Sequence, residues 1–514
     1  MLPEFKNEPL TDFTEEFNKL RMQEALRKVQ KEMGKEYPLV IGGKKIKTAE
    51  KFKSINPSEK DEIVGIFQKA GVAEAEKAIT AATKAFESWR YQPAEERATY
   101  LLKAAELARK RKMELSAWQV LEVGKNWAEA DADVAEAIDY FEFYAREMLR
   151  LSEPQPLTPL PGEKNELVYI PLGPVVVIPP WNFPLAILAG MSLGALVTGN
   201  TVILKPSSDS PAVGWQFYRL MEEVGLPEGV LNFVTGPGGT VGDYLVAHRQ
   251  TRMVAFTGSR EVGIRIYELA SKVQKGQIWL KRVIAEMGGK DAIVVDSEAD
   301  IEAAAQGIVT SSFGFQGQKC SACSRAILDE KIYEETVEQI VEKTKALSIG
   351  PAKENHFIGP VINAGAEKKI LEYIEIGKKE GKLLWGGKKA PGNGFYLFPT
   401  LFTDIKPSAR LAQEEIFGPV LSILKARNFQ EAIEIANGTD YGLTGSFYSR
   451  NREKISEAKK RFHCGNLYIN RKCTGALVGA HPFGGFNMSG TDSKAGGKDY
   501  LLLFLQGKAI SEKL

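Results

Sequence analysis

The sequence predicts an α/β protein built on two sheets that are parallel in the main, and three observations carry that expectation. Short β-branched runs at Val175–Ile178, Thr201–Leu204, Leu231–Val234, Met253–Thr257 and Ala292–Val295 are separated, for the most part, by helical stretches at Leu185–Val197, Ala212–Val224 and Glu261–Lys272. Strands buried on both faces of a parallel sheet read as continuous apolar runs of this kind. A second alternation follows Cys320, with strands near Arg325–Leu328, Val420–Leu424, Ser446–Tyr448 and Asn466–Ile469. The 514 residues also exceed what one hydrophobic core sustains, so several domains are expected.

The amino-terminal third reads as helical. Asp12 and Glu15 stand at capping-box spacing, and Phe13, Phe17 and Leu20 recur at helical intervals. Ile79, Ala82, Phe86 and Trp89 do the same, and both stripes read as core-facing. The Pro154–Pro161 stretch reads as a linker into an extended ribbon at Glu166–Ile170. The apolar Tyr500–Leu505 segment is expected to pair with such a ribbon in a neighbouring subunit.

Composition narrows the function classes. Lys+Arg 67 against Asp+Glu 65 gives no electrostatic case for nucleic acid or an anionic membrane. The most apolar stretch, around Pro174–Val197, is broken by Pro179, Pro180, Pro184, Gly190 and Gly194 and carries Asn182, which makes a poor membrane span. Early acidic residues (Glu4, Glu8, Asp12, Glu15, Glu16) do not fit a targeting segment, so a cytoplasmic location is expected. Four cysteines cannot make a disulfide framework, and four scattered histidines make no metal-ligand pattern.

Ligands of α/β sheets gather at the carboxyl ends of strands, so the residues after each apolar run matter most. These are Asn182 in Pro-Pro-Trp-Asn-Phe-Pro, Lys205 followed by Ser208, the turn Thr235–Gly242 with Gly238, and the turn Phe256–Gly263 with Gly258 and Ser259. Glycine turns that open helices expose N–H groups to an anion, and with Lys205 they point to a dinucleotide. Glu286 precedes two glycines, whose small size leaves a carboxylate room to swing. Cys320 follows a loop of Gly, Gln and Lys; this context predicts an accessible thiol whose thiolate Lys319 favours. Cys323, three residues on before an apolar run, reads as a buried small residue.

Together Pro180-Trp-Asn-Phe-Pro184, Lys205-Pro-Ser, Phe256-Thr-Gly-Ser259, Glu286-Met-Gly-Gly-Lys290, Gly317-Gln-Lys-Cys320 and Glu415-Ile-Phe-Gly-Pro-Val420 resemble the aldehyde dehydrogenase superfamily, in order and over most of the chain. The resemblance implies a Rossmann-like cofactor domain, an α/β catalytic domain and a small β oligomerisation flap. It implies Cys320 as nucleophile, Asn182 with the Cys320 N–H as oxyanion donors, and Glu286 as general base. It also implies Lys205 at the adenosine ribose, Gly258–Gly263 at the pyrophosphate, and Glu415 and Phe417 at the nicotinamide end. The domains implied are 1–150 with 172–286, then 287–490, with 151–171 and 491–514 as ribbon and tail of a homo-oligomer.

Within that family the late loop Thr474–Thr491, together with Lys319-Cys320-Ser321, resembles the members that oxidise glutamate γ-semialdehyde. Ser321, Lys319 and the N–H groups at Gly479 and Ala480 are expected around the substrate carboxylate, with Phe183 and Phe486 along its aliphatic stem. Many NAD-preferring relatives carry Glu where Ser208 stands, so NAD is expected as cofactor with NADP tolerated. Another semialdehyde, such as succinate semialdehyde, and a thiol esterase without dinucleotide stand as alternatives.

Overall fold

The computed structural model describes residues 2–514. Five helices fill most of the amino-terminal region: α1 (Glu16–Gln30), α2 (Val72–Trp89), α3 (Ala94–Lys110), α4 (Lys112–Val123) and α5 (Trp127–Ser152). The α2 stripe of Ile79, Ala82, Phe86 and Trp89 is buried as read, but Phe17 and Leu20 of α1 are exposed. Met22, Leu26 and Val29 form the buried face of α1 instead. Helix α1 also starts later than the capping-box reading, because the Asp12 carboxylate accepts from the Thr14 N–H (2.8 Å) and does not cap the helix.

Strands at Glu36–Tyr37, Lys51–Asn56 and Glu59–Gln68 form a small sheet inside this region. The sequence reading took the whole region as helical. Their lysine- and glutamate-rich composition hid them, since strand propensity resides in β-branched and aromatic residues.

The first large sheet has seven strands in the order Arg282–Glu286, Met253–Thr257, Pro174–Ile178, Thr201–Leu204, Leu231–Phe233, Leu39–Ile41, Lys44–Ile46. The first five run parallel and the last two form an antiparallel edge. The second sheet runs Lys382–Trp385, Thr400–Thr403, Val420–Ala426, Arg325–Asp329, Ala292–Val295, Thr444–Tyr448, Asn466–Ile469, parallel except at the Lys382 edge. Apolar side chains cover both faces of each sheet, which is why their strands read as unbroken apolar runs.

Glu163–Pro171 pairs antiparallel with Leu505–Lys513, from Leu505 opposite Pro171 to Lys513 opposite Glu163. The ribbon is therefore closed within one chain, a correction to the expected pairing between subunits. Tyr500–Phe504 is not a strand at all: it forms a short helical turn whose Tyr500, Leu501 and Phe504 join the core around the first sheet.

Candidate active site

Cys320 lies between the two sheets, on the loop that leaves helix Ile301–Phe313. Phe315, Gln316 and Gly317 are consecutively left-handed (φ 51°, 56° and 65°). Such backbone costs about 1–3 kcal/mol per non-glycine residue and persists only where packing enforces it. A side chain at Gly317 would lie 2.5 Å from the Gly418 carbonyl oxygen, and one at Gly289 would lie 2.4 Å from that of Cys320. The loop thus rests directly on the backbone of two neighbouring segments.

The Cys320 thiol is half-buried and raised from its ordinary value, first by burial and then by the carboxylates of Asp291, Glu415 and Glu286. The expected thiolate-favouring role of Lys319 is not what the structure shows. Its ammonium is 2.7 Å from Glu129 on α5, and the group that lowers the thiol is the Ser321 N–H. Cys323 is buried as read.

Asn182 follows strand Pro174–Ile178 and is buried; its Nδ2 donates to the Gln318 carbonyl at 3.0 Å, two residues before Cys320. One amide hydrogen thereby fixes the side chain to the nucleophile loop and the other remains for a ligand. Next to it, the Phe183 ring lies under the Lys125 ammonium at 4.3 Å. That ammonium pairs with Asp133 at 2.7 Å, both side chains fully buried. Asp133 in turn accepts from the Ala186 N–H (2.7 Å), at the first turn of helix α6 (Ala186–Val197).

Glu286 ends strand Arg282–Glu286. Its carboxylate accepts from the Ser493 hydroxyl at 2.5 Å and from the Gly485 N–H at 3.3 Å. Burial pushes it up to about 8, against those two bonds. The late loop closes over it through the Thr491 N–H to Ala285 carbonyl bond (3.0 Å), and a side chain at Gly490 would press on the carboxylate at 2.8 Å.

The residues that the sequence reading assigned to a dinucleotide follow the carboxyl ends of strands of the first sheet. Lys205 is buried, donates to the Pro206 and Gly236 carbonyls (3.1 and 3.2 Å), and is pushed down to about 8 by burial. It carries no ion pair among the described residues, so a third N–H is free for a hydroxyl-bearing ligand. Gly242 packs against its side chain, while Gly238 opens the same turn at the surface. Gly263 fits against Met287, where any side chain would meet sulfur at 2.5 Å, and Gly258 sits against the Phe256 ring. Ser259 precedes helix Arg260–Ser271 without capping it, which leaves first-turn N–H groups open. Ser208 is exposed in the turn after Lys205.

At the other end Glu415 accepts from the Gly289 N–H at 3.0 Å and is raised by burial. Phe417, itself left-handed (φ 62°), stands edge-on to Trp181 at 5.6 Å. A buried ammonium at one end, open helix N–H groups in the middle and a carboxylate with an aromatic ring at the other fit a ribose, a pyrophosphate and a nicotinamide riboside.

The substrate side departs from the sequence reading. The Gly479 N–H donates to Gly496 (2.9 Å) and that of Ala480 to Leu477 (3.2 Å), so neither is open to a carboxylate here. Phe486 packs on His463 (5.2 Å) and under Lys494 (5.2 Å) on the ribbon it makes with Tyr441–Gly442. Ser321 is buried beside Cys320, its carbonyl accepting from the Thr444 hydroxyl at 3.4 Å.

Sequence reasoning missed two features. Four residues before the Gly479–Ala480 pair stands a second one, Gly475–Ala476, whose N–H groups have no acceptor among the described residues. Glu129, Asp133 and Glu136 form one stripe of α5: Glu129 holds Lys319, Asp133 holds Lys125, and Glu136 has no ion pair. Glu136 is raised to about 8, chiefly by burial and then by Asp133. The repeated glycine–alanine pair was visible in the sequence; the α5 stripe reads there only as an amphipathic helix.

The aldehyde dehydrogenase family model matches residues 45–510. The chain is similar to the 1-pyrroline-5-carboxylate dehydrogenase of Geobacillus sp. (strain WCH70), with 58% identity over 513 residues and 100% of each chain covered. Its structure is similar to that of 1-pyrroline-5-carboxylate dehydrogenase from Thermus with bound NAD, at a TM-score of 0.99 and 54% identity over 100% of both chains. It also matches proline utilization A from Bdellovibrio bacteriovorus, at a TM-score of 0.98 and 44% identity, over 99% of this chain and 53% of that one. With these matches over its full length and the constellation of Cys320, Asn182 and Glu286, the chain belongs to the aldehyde dehydrogenase family.

Proposed function

We propose that the chain catalyses the NAD-dependent oxidation of L-glutamate γ-semialdehyde, the open form of 1-pyrroline-5-carboxylate, to L-glutamate. The observation that carries this reading is the bond from Asn182 to Gln318, which registers an amide donor against the nucleophile loop in a chain 58% identical to a relative of that name. An aldehyde is no hydride donor until a nucleophile adds to it, and the Cys320 sulfur makes that addition as a thiolate. The resulting oxyanion is held by the free N–H of Asn182 and the Cys320 backbone N–H, donors of a kind worth about 3–4 kcal/mol each. NAD, which Lys205, the Gly258–Gly263 turn and Glu415 would hold, would supply the acceptor for the hydride that this oxyanion expels on collapse. Cys320 is left as a thioester, and Glu286, released from Ser493 and Gly485, takes a proton from the water that hydrolyses it.

Lys205, the turns at Gly238–Gly242 and Gly258–Gly263 with Ser259, and Glu415 with Phe417 hold the dinucleotide. The exposed Ser208 provides no carboxylate to repel a 2′-phosphate, so NADP is tolerated as well. For the substrate, the Ser321 hydroxyl and the open N–H groups of Gly475 and Ala476 receive the carboxylate in place of Gly479 and Ala480. Glu136 faces the ammonium, Phe183 walls the stem, and Lys319 contributes field rather than contact, being paired with Glu129.

No helix of the described residues is long and apolar enough to cross a membrane, and all four cysteines are free thiols, which suits a cytoplasmic enzyme. Val262, Tyr267, Val273, Ile278 and Leu280, close in sequence, are all exposed, and this apolar surface supports a homo-oligomer.

The test is NADH formation with 1-pyrroline-5-carboxylate beside succinate semialdehyde and a simple aliphatic aldehyde. A preference of about a hundredfold or more in kcat/KM for the first is expected of a site that pairs both charged groups. Equal turnover of all three would remove the substrate assignment, and no NADH from any would leave an esterase.

A further inference from the structure

Cys323 and Cys473 are 150 positions apart in sequence, yet both are tied to one residue. The Cys323 N–H donates to the Ser311 carbonyl (3.2 Å), and the Cys473 N–H donates to the Ser311 hydroxyl (3.3 Å). Their side chains are buried neighbours in one cluster, where the Cys323 sulfur also donates to the Arg325 carbonyl at 3.5 Å. The Cys473 sulfur also lies 3.4 Å from the carbonyl oxygen of Ser321, the residue after the nucleophile. Cys323 leads into strand Arg325–Asp329, and Cys473 opens the late loop, whose Gly475, Leu477, Gly479 and Ala480 are exposed.

We propose that Cys323 and Cys473 form a reversible oxidation site, closing under peroxide to a disulfide that fixes the late loop against the nucleophile loop. The two thiols are chemically unequal, as such a reaction needs. Burial pushes Cys473 well above its ordinary value, whereas at Cys323 burial raises the thiol but is outweighed by contacts with Cys473, the Ser312 side chain and the Ile293 backbone together, which hold it below. The Cys323 sulfur attacks a peroxide oxygen, the O–O bond breaks, and a sulfenic acid and one water result. The Cys473 sulfur then displaces the sulfenic oxygen as a second water and forms the S–S bond. Two thiols lose two electrons and two protons, and one hydrogen peroxide becomes two waters. Drawing the sulfurs from contact to about 2.05 Å moves the start of the late loop toward Ser321.

The experiment uses the full chain with Cys320 removed from the chemistry, once as Cys320→Ser and once as wild type blocked at Cys320 with iodoacetamide. After hydrogen peroxide, each preparation should become lighter by two hydrogen atoms, yield a linked Cys323–Cys473 peptide pair, and revert with dithiothreitol. Cys320→Ser/Cys473→Ser should give no linked pair. In the unblocked enzyme, a dithiol oxidant should raise the KM for semialdehyde about fivefold more in wild type than in Cys473→Ser, each measured against its own reduced form. Free Cys323 and Cys473 after oxidation, or a link to Cys464 instead, would overturn the proposal, and an equal KM change would overturn its effect on the loop. The mass change and the linked peptide pair do not depend on which aldehyde is the substrate; only the KM comparison rests on the proposed function.

Discussion

Cys320 and Glu286 share a pocket that disfavours charge on either of them. Burial and three carboxylates raise the thiol, and burial holds Glu286 near 8 while Ser493 clasps it. A base raised to about 8 is mostly protonated at pH 6 and mostly carboxylate at pH 9. Thioester hydrolysis should therefore accelerate as pH rises through 8, and Glu286→Gln should abolish that dependence while sparing the first burst of NADH. Pre-steady-state NADH absorbance across pH 6–9 checks both; a flat wild-type profile would remove Glu286 as the base. Cys320→Ala should remove oxidation altogether and leave NAD binding by calorimetry intact. At Ser208, introducing glutamate should weaken NADP binding about tenfold or more and leave NAD nearly unaffected, because only the former carries a 2′-phosphate near that turn.

Helix α5 contributes more to the site than its sequence announces. Its Glu129–Asp133–Glu136 stripe pairs with Lys319 and Lys125 through the first two, and Glu136, which has no ion pair, is proposed to face the substrate ammonium. Glu136→Gln should raise the KM for semialdehyde about tenfold with kcat little changed, since a charge paired with the ammonium serves binding more than the hydride step. Lys125→Met should cost about 3–5 kcal/mol of stability in urea unfolding, because it leaves Asp133 charged and buried alone; Lys125→Met/Asp133→Asn should recover much of that.

Most parallel strands of both large sheets were legible, as Thr201–Leu204 and Met253–Thr257 show, because parallel packing writes itself as apolar runs. Leu39–Ile41, Lys44–Ile46, Lys382–Trp385 and Thr400–Thr403 were not, and Ala292–Val295, read with the first alternation, belongs to the second sheet. The Lys51–Asn56 and Glu59–Gln68 strands were not legible either, since six of their sixteen residues are charged and interrupt the apolar pattern. Cys320, Glu286 and Asn182 were singled out in the sequence by their flanking motifs, and the fold brings Asn182 onto the Cys320 loop with Glu286 near the thiol. The choice between Gly475–Ala476 and Gly479–Ala480 was not: which N–H is already bonded is decided by Gly496 and Leu477, and no local pattern records that.

At the scale of the molecule, the ribbon is tied to the first sheet, and it is the surface the proposed homo-oligomer would use. Arg282 donates to the carbonyls of Leu503 and Leu505 (3.0 and 2.6 Å), which joins the edge of the first sheet to the ribbon base. Val168, Ile170 and Ile510 on the ribbon are exposed apolar residues, as are Tyr267, Ile278 and Leu280. Replacing Ile278 and Leu280 together by aspartate should shift sedimentation toward a lighter species, with the far-ultraviolet spectrum unchanged. An unaltered sedimentation profile would place the contact elsewhere.

The core around the first sheet takes side chains from α1, from strands up to Ile284, and then from Tyr500–Leu505. During synthesis that core stays open while the entire second sheet is made, about 10–40 s at ordinary elongation rates. The nascent chain thus presents an unfinished apolar surface to the ribosome's surroundings for that interval, and chaperone demand should fall when residues 500–505 emerge.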